Sequence, residues 1–276
     1  MSAPAVNAAG AATTAPEPQG VDLSCLRVLR DGGRKLLVTY VTGGLRDDWV
    51  EVLEAMVAAG ADLVEIGGPF SDPVMDGPTI QEASAAALAR GTNPGSILDA
   101  LRRVQVPVPL VAMTYANLVM RGGNRRFAAS LAGAGVRGAI IPDIPLEELD
   151  DWARAAAWAD VATVLLAAPV TPDDRLAELC RRSQGFIYGV NVMGVTGERT
   201  SLSSSAGLLA GRLKAITDLP VIMGFGVSGP EQAAVIAEVA DGVVVASALM
   251  RAMLAGEDPD QIGERVAALR KALDAG

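Results

Sequence analysis

Eight short apolar segments recur along this chain of 276 residues, and their spacing is the feature that most constrains its fold. Each segment is rich in β-branched residues and too short for a core helix, so each predicts a buried strand. Their nearly continuous apolarity is typical of strands that are covered on both faces, as in parallel sheets. The segments are residues 35–41, 62–66, 108–115, 137–142, 162–168, 185–190, 219–225 and 242–247.

Helical patterns fill the intervals between these strands. In residues 47–60, Trp49, Leu53, Met56 and Val57 share one helical face. Eight strands that alternate with helices predict a single α/β domain, a (β/α)8 TIM barrel with extra short helices. A doubly wound open sheet is the alternative, but no composition break marks a second domain and no G-x-G-x-x-G follows the first strand. Further helices are predicted near 79–90, 96–104, 125–134, 147–157, 173–182, 205–216, 229–239 and 259–274.

The first 20 residues differ in character from the rest of the chain. They are mainly Ala, Pro, Thr and Gly without periodicity, so we expect a disordered tail over 1–20 and the barrel over 21–276. The tail lacks a basic segment followed by a continuous apolar run, so no signal peptide is predicted. No segment reaches about 18 uninterrupted apolar residues, the length of a membrane span. These features predict a cytoplasmic protein.

The composition excludes several kinds of site. A net charge of -9 disfavours sequence-independent binding to nucleic acid or to anionic membranes. The two cysteines, Cys25 and Cys180, form neither a disulfide framework nor a metal cluster, and they suit a reducing compartment. The absence of histidine removes the commonest general base and the commonest metal ligand. We therefore expect neither a metal nor a bound cofactor, and catalysis by carboxylates, tyrosines or backbone dipoles.

The positions of the three lysines narrow the reaction further. A Schiff-base aldolase needs a lysine on a barrel strand facing the mouth, which is the end formed by the C-terminal ends of the strands. Lys35 lies at the wrong end of the first strand, and Lys214 and Lys271 lie on predicted outer helices. If this chain breaks a carbon–carbon bond, the substrate itself must therefore accept the electrons.

The loop after the second strand carries three acids in the stretch "EIGGPFSDPVMDGPTIQ", residues 65–81. Glu65 ends an apolar strand, where poor solvation raises the pKa of a carboxyl group and suits it to general acid and base catalysis. A structural acid paired with an arginine or a backbone amide is the alternative. Asp72 is typical of a turn residue whose side chain bonds the backbone two residues on. Asp76 could also start a turn or cap the next helix, but the Pro and Gly residues around it would hold an acid towards a ligand.

The loops after the last three strands indicate an anion site, because barrels often bind phosphate there with backbone N–H groups. Ser247 could open a short extra helix after the eighth strand. Glycine loops are usually only turns, so each signal alone is weak. Three tyrosines near the C-terminal ends of strands could line the same pocket or simply pack in the core. The residues concerned are Gly194, Thr196, Gly197, Gly224, Gly226, Ser247, Tyr40, Tyr115 and Tyr188.

Several of these segments together resemble the tryptophan synthase alpha chain family. The most specific motif is "AGADLVEIGGPFSDPVMDGPTIQ", and the resemblance continues in order over nearly the whole chain after about residue 35. It includes "MTYANLV" (113–119), "IIPDIPLEE" (140–148), "GFIYGVNVMGVTG" (185–197), "GFGVSGPEQ" (224–232) and "DGVVVASAL" (241–249). The resemblance implies a (β/α)8 barrel that cleaves indole-3-glycerol phosphate to indole and glyceraldehyde 3-phosphate, with a protonated indole ring as the electron sink.

The resemblance also implies a role for each matching residue. Glu65 corresponds to the general acid–base that protonates indole C3 and accepts the glycerol hydroxyl proton, and Asp76 to the acceptor of the indole N–H. Thr196 matches a threonine of a mobile loop that closes over the site. Tyr115 and Tyr188 match residues of the pocket wall, and the phosphate site corresponds to Gly197, Gly226, Ala246 and Ser247.

Two departures from the family pattern concern the mouth of the barrel. The loop after the first strand, residues 42–48, is shorter than usual, and Ala246 stands where the family usually has glycine. An alanine still donates its N–H unless the backbone requires a positive φ, so we expect a slightly altered phosphate pocket and not a lost one.

In this family a PLP-dependent beta chain receives the indole, and the resemblance makes Asp72 and Pro73 candidates for contact with it. The expected role is the alpha subunit of tryptophan synthase in an alpha2beta2 complex. The alternatives are a stand-alone lyase that releases free indole for specialised metabolism, and a catalytically weak subunit kept for allosteric binding. Retention of both Glu65 and Asp76 argues against the last of these.

Overall fold

Eight parallel strands close into a barrel in chain order, β1 to β8, with β8 paired to β1. The structure is a computed structural model that describes residue 15 and residues 19–190, 199–224 and 226–275. It confirms the predicted TIM barrel and each of the eight predicted strands. The strands are β1 Leu36–Thr42, β2 Leu63–Gly67, β3 Leu110–Met113, β4 Val136–Ile140, β5 Ala162–Ala167, β6 Ile187–Val190, β7 Val221–Gly224 and β8 Gly242–Val245.

Helices surround the barrel, and each predicted helix is present. Two short helices, α1 and α5, were not predicted, because segments of eight and seven residues show little periodicity. The helix α9 also begins earlier than expected, since its Ser-rich first turns have low helix propensity. The helices are α1 Ser24–Asp31, α2 Trp49–Ala58, α3 Pro78–Ala89, α4 Pro94–Leu101, α5 Ala116–Gly122, α6 Asn124–Ala132, α7 Leu149–Trp158, α8 Asp173–Arg182, α9 Arg199–Lys214, α10 Pro230–Ala237, α11 Ser247–Leu254 and α12 Pro259–Asp274.

Alternate strand residues face the inside of the barrel and pack with one another. This inner cluster includes Leu36, Val38, Leu63, Val111, Ile140, Val164, Ile222 and Val244. Residues of the opposite parity pack outwards against the helices, as Val41, Val64 and Ile66 do. The predicted face of α2 is confirmed, because Trp49, Leu53 and Met56 are buried in this outer layer. Because apolar side chains fill the inside of the barrel, ligands must bind at its ends.

The helix α1 closes the end of the barrel opposite the mouth. Leu26 is fully buried in the inner cluster, and Leu23 beside it is 2% exposed. Gly138 and Gly185 leave room for Leu23, since a Cβ at either position would lie within 3.1 Å of its side chain. This arrangement leaves the mouth as the open end.

We expect Leu26→Ala to destabilise the fold by about 3 kcal/mol, because it leaves a cavity in a tightly packed layer. Urea unfolding followed by circular dichroism measures the change. Val28→Ala is the matched control, because Val28 lies on the same helix but is 72% exposed. Equal unfolding midpoints for the two variants would show that α1 does not seal the barrel.

The predicted tail over 1–20 lies mostly outside the described residues and stays a prediction, as does the domain boundary at residue 21. Within the described part of the chain, no helix combines the length and apolarity needed to cross a membrane. Cys25 and Cys180 are both free thiols; Cys180 is buried, whereas Cys25 is only half-buried.

Candidate active site

Glu65 lies on the inner face of β2, close to the mouth. Strand alternation places it on the same face as Leu63, a member of the inner cluster, and as Gly67. The register pairs Glu65 with Tyr40 of β1, so both side chains point into the barrel. Glu65 is only 1% exposed. Its carboxyl group therefore forms part of the floor on which a ligand at the mouth would rest.

Burial dominates the electrostatics of this carboxyl group. It raises the pKa of Glu65 from an ordinary 4.5 to about 8, and the negative charge of Asp76 raises the pKa further. Its Oε1 atom is buried and accepts no hydrogen bond from the described residues. The alternative, a structural acid held by an arginine or a backbone amide, therefore finds no support in the described part of the chain. A carboxyl group with this pKa is protonated at neutral pH and is close to releasing its proton.

Asp76 lies in the loop after β2 and forms a second acid of the same pocket. It does not cap the next helix, because α3 has Gly77 as its N-cap and begins at Pro78. Its Oδ2 atom accepts a hydrogen bond from the Tyr115 hydroxyl at 3.2 Å. Burial raises the pKa of Asp76, and the bond from Tyr115 partly offsets this rise. The side chain is thus held by another loop and remains available as an acceptor.

Asp72 and Pro73 lie on the outer side of the same loop. The prediction that the Asp72 side chain bonds the backbone two residues on is wrong. The N–H of Val74 donates instead to the backbone carbonyl of Asp72 at 2.9 Å. The Asp72 carboxylate instead accepts from the Ser71 hydroxyl at 2.6 Å and is exposed. Pro73 is half-buried, and its carbonyl accepts from the N–H of Asp76 at 3.0 Å. Backbone bonds therefore shape the turn, which leaves the Asp72 carboxylate facing solvent.

Tyr40 on β1 and Tyr188 on β6 also lie near Glu65, and each passes over a glycine of the neighbouring strand. A Cβ at Gly67 would lie 1.7 Å from the Tyr40 hydroxyl, and a Cβ at Gly224 would lie 2.8 Å from the Tyr188 ring. Both side chains are buried, which raises the pKa of each phenol. Glu65 and Asp76 raise both pKa values further by their charge. The two acids are therefore close enough to both phenols for their charges to act on them.

The described part of the predicted phosphate site lies at the same mouth. Gly226 has φ +68°, a conformation that side chains disfavour, and it is exposed. The helix α11 begins at Ser247 as expected, and no side chain of the described residues caps its first turn. Ala246 precedes it with φ -114°, a negative value that alanine adopts, and the expected effect on phosphate binding stays a prediction. Thr196 and Gly197 lie outside the described residues.

Three residues have a larger part in this site than the sequence indicated. Tyr40 was left as a residue that either lines the pocket or packs in the core, and the space left by Gly67 brings its hydroxyl to the mouth. Phe70 stacks on Tyr115 with ring centroids 4.6 Å apart. Asp143, which follows β4, accepts a hydrogen bond from the N–H of Ala116 at 2.8 Å. The "PD" after an apolar strand in "IIPDIPLEE" was the available signal for Asp143, because polar residues after barrel strands reach the mouth.

A cavity at the opposite end of the barrel does not compete with this site. Its volume is about 540 Å³, and it lies between Gly20, the segment before β3 and Gly135. Among the described residues, no acid and no tyrosine lines it. The paired acids at the mouth are therefore the stronger candidate for chemistry.

Comparison with known proteins identifies the family to which this barrel belongs. A family model described as "Tryptophan synthase alpha chain" matches residues 26–275. The tryptophan synthase alpha chain of Halorhodospira halophila is 42% identical over 257 residues, which cover 90% of this chain and 94% of that relative. That of Rhizorhabdus wittichii is 46% identical over 244 residues and 87% of each chain.

Solved structures agree with the sequence relatives. Tryptophan synthase from Mycobacterium tuberculosis aligns with a TM-score of 0.86 and 37% identity, over 94% of this chain and 100% of that chain. The alpha subunit from Legionella pneumophila aligns with a TM-score of 0.82 and 31% identity, over 93% and 100%. This chain therefore belongs to the tryptophan synthase alpha chain family, the lyases of tryptophan biosynthesis that cleave indole-3-glycerol phosphate to indole and glyceraldehyde 3-phosphate.

Proposed function

We propose that Glu65 carries the proton transfers of this cleavage and that Asp76 stabilises the charge that develops on the indole ring. The observation that carries the proposal is the buried Glu65 carboxyl group, whose pKa is about 8 and whose Oε1 atom has no hydrogen-bond partner among the described residues. A group of this pKa serves near neutral pH both as an acid and, after losing its proton, as a base. Both functions are needed in succession here.

The first step forms a C–H bond at indole C3 with the proton of Glu65. The ring becomes a cationic indolenine, whose N–H donates a hydrogen bond to the Asp76 carboxylate. The Glu65 carboxylate then accepts the proton of the glycerol hydroxyl next to the ring. The C–C bond breaks, its electrons restore the aromatic ring, and the hydroxyl carbon becomes the aldehyde of glyceraldehyde 3-phosphate. Glu65 ends protonated, as it began.

The remaining residues are assigned to binding. Tyr115 and Tyr188 would hold the ring, and Tyr115 also holds Asp76 in place through its 3.2 Å hydrogen bond. The positive φ of Gly226 and the uncapped first turn of α11 support a phosphate site made of backbone N–H groups, with Ser247 beside them. Gly197, Thr196 and Ala246 complete this proposed set.

We further propose that the mouth docks a PLP-dependent tryptophan synthase beta chain, which would take up the indole, so that this chain itself needs no cofactor. The loop with Asp72 and Pro73 exposes two apolar side chains, Val74 and Met75, at 79% and 50%. Exposed apolar residues side by side are typical of a protein contact. The two free thiols suit assembly in the reducing cytoplasm.

The direct test measures indole release from indole-3-glycerol phosphate by the purified chain, alone and with a beta chain. We expect slow release alone and strong activation by the beta chain. Fast release that a beta chain leaves unchanged would indicate a stand-alone lyase instead. No release under either condition would contradict the proposed chemistry.

For Asp76→Asn we expect kcat to fall by about 10²-fold, because an amide oxygen accepts the indole N–H but carries no charge to stabilise the cation. Steady-state kinetics at pH 7 measures the loss. Asp72→Asn is the control for removing one negative charge from the same loop. Assayed without a beta chain, this variant should keep the parent rate. A parent-like rate for Asp76→Asn would remove Asp76 from the mechanism.

A further inference from the structure

The ends of three consecutive strands are joined at the mouth. The N–H of Gly68, directly after β2, donates to the carbonyl of Met113 in β3 at 2.8 Å. The N–H of Thr114, directly after β3, donates to the carbonyl of Ile140 in β4 at 3.0 Å. The loops after β2, β3 and β4 therefore start from neighbouring strand ends that are hydrogen-bonded to one another.

Asp143 forms the next link of this arrangement. A turn over 141–144 closes with a bond from the N–H of Ile144 to the carbonyl of Ile141 at 3.4 Å, and Pro142 restricts its backbone. Asp143 projects from the turn, and its Oδ1 atom accepts from the N–H of Ala116 at 2.8 Å. Ala116 is the first residue of α5, where an N–H has no partner within the helix. A carboxylate at this position also faces the positive end of the helix.

The bond to Ala116 fixes the residue before it, Tyr115. Tyr115 is the N-cap of α5, but its side chain makes no capping hydrogen bond to this helix. Its hydroxyl instead donates to Asp76 at 3.2 Å and accepts from the N–H of Met75 at 3.1 Å, while its ring stacks on Phe70. If the first turn of α5 moved, the Tyr115 hydroxyl would leave Asp76.

We propose that Asp143 is a positioning residue of the cleavage reaction, acting through the start of α5 and the Tyr115 hydroxyl to hold Asp76 against the indole N–H. This proposal rests on the proposed role of Asp76. Asp143 itself need not touch the substrate, because its anchor lies on the backbone of the loop after β3.

The pH profile of kcat/KM distinguishes a positioning role of Asp143 from a direct effect of its negative charge on Asp76. The groups that face Asp76 in the described structure are Glu65 on β2, Tyr40 on β1, Tyr115 after β3 and Tyr188 on β6. Losing the Tyr115 bond raises the pKa of Asp76, because that bond lowers it against burial. Removing the negative charge of Asp143 would act in the opposite direction. An upward shift in the pKa of Asp76 therefore indicates that the Tyr115 hydroxyl has moved away from it.

The experiment compares Asp143→Ala, Asp143→Asn, Tyr115→Phe and the double variant Asp143→Ala with Tyr115→Phe. We expect Asp143→Ala to lower kcat/KM about tenfold, equivalent to about 1.4 kcal/mol, mainly through kcat. The acidic limb of its pH profile should move upward, as in Tyr115→Phe. The double variant should lose little beyond Tyr115→Phe, because both changes break the same path. Asp143→Asn keeps the Oδ1 acceptor and should restore most of the rate.

Asp258→Ala is the matched control. Asp258 also accepts from a backbone N–H at a helix start, that of Gln261 at 2.9 Å, but it caps α12 on the outside of the barrel. This variant should lose stability to urea without a change in the pH profile. An unmoved profile for Asp143→Ala, or a fully multiplicative double variant, would overturn the proposal. If Asp76→Asn also kept its rate, the proposed role of Asp76 would fail instead.

Discussion

Glu65→Gln is expected to lower the rate of indole-3-glycerol phosphate cleavage by about 10³-fold, within the usual range for loss of a general acid–base. Glutamine has nearly the shape of the protonated glutamic acid, but its amide transfers no proton at neutral pH. Binding should be kept, because the pocket walls and the anion site do not depend on the Glu65 proton. Single-turnover assays give the rate, and calorimetric titration of the inactive variant with substrate gives the affinity.

The control for this variant is Glu147→Gln, a change of the same chemistry at an exposed acid that pairs with Arg175. It should cleave substrate like the parent. In the parent, kcat/KM should fall as the pH rises through about 8, because Glu65 must be protonated to begin the reaction. This basic limb should be missing from the residual activity of Glu65→Gln. A variant that kept a tenth of the parent rate, with an unchanged basic limb, would exclude Glu65 as the proton carrier.

The same substitution is expected to stabilise the fold at alkaline pH. Burial raises the pKa of Glu65 from 4.5 to about 8, so between these values the folded state holds a proton that the unfolded state has lost. The contribution of the Glu65 carboxyl group to the free energy of unfolding of the parent is therefore complete below pH 4.5. It decreases as the pH rises to about 8. At about 1.4 kcal/mol for each pH unit, the rise from 4.5 to about 8 corresponds to a total loss on the order of 5 kcal/mol. Glutamine avoids this loss.

Urea unfolding of parent and variant over the range from pH 5 to pH 9 measures the effect. The two free energies of unfolding should agree near pH 5 and then separate, with the variant more stable, until they level off above pH 8. Glu147→Gln should show no such separation over this range, because its bond to Arg175 lowers the pKa of Glu147 and the carboxylate is ionised above pH 5 in both states. A difference between parent and Glu65→Gln that stays constant with pH would show that the Glu65 carboxyl is solvated in the folded protein.

These two predictions describe one property of the site. The group that gains catalytic power from burial is the group whose ionisation weakens the fold, since both effects come from removing a carboxylate from water. The loop after β2 reflects the same demand: its Pro and Gly residues, together with the bonds to Tyr115, hold Asp76 near Glu65 although both are acids.

The sequence alone was sufficient for the barrel and for the principal acids. Alternation of apolar runs with amphipathic segments has few solutions, so eight strands of this kind predict a closed barrel, and the end of a strand predicts the mouth. The position of Glu65 follows from that rule. The motif around residues 65–81 then assigned it a chemistry, which composition supported by leaving neither histidine nor a well-placed lysine.

Contacts between distant segments were decided only by the tertiary structure. Three such contacts join residues on different strands or loops. They are the approach of the Tyr40 side chain to Gly67, the hydrogen bond from Tyr115 to Asp76, and the hydrogen bond from Ala116 to Asp143. Periodicity reports which face of an element is buried, but not which atom of another element it meets. The fold was therefore readable from local patterns, whereas the pKa of Glu65 and the support of Asp76 required the packed barrel, because burial and hydrogen bonding set them.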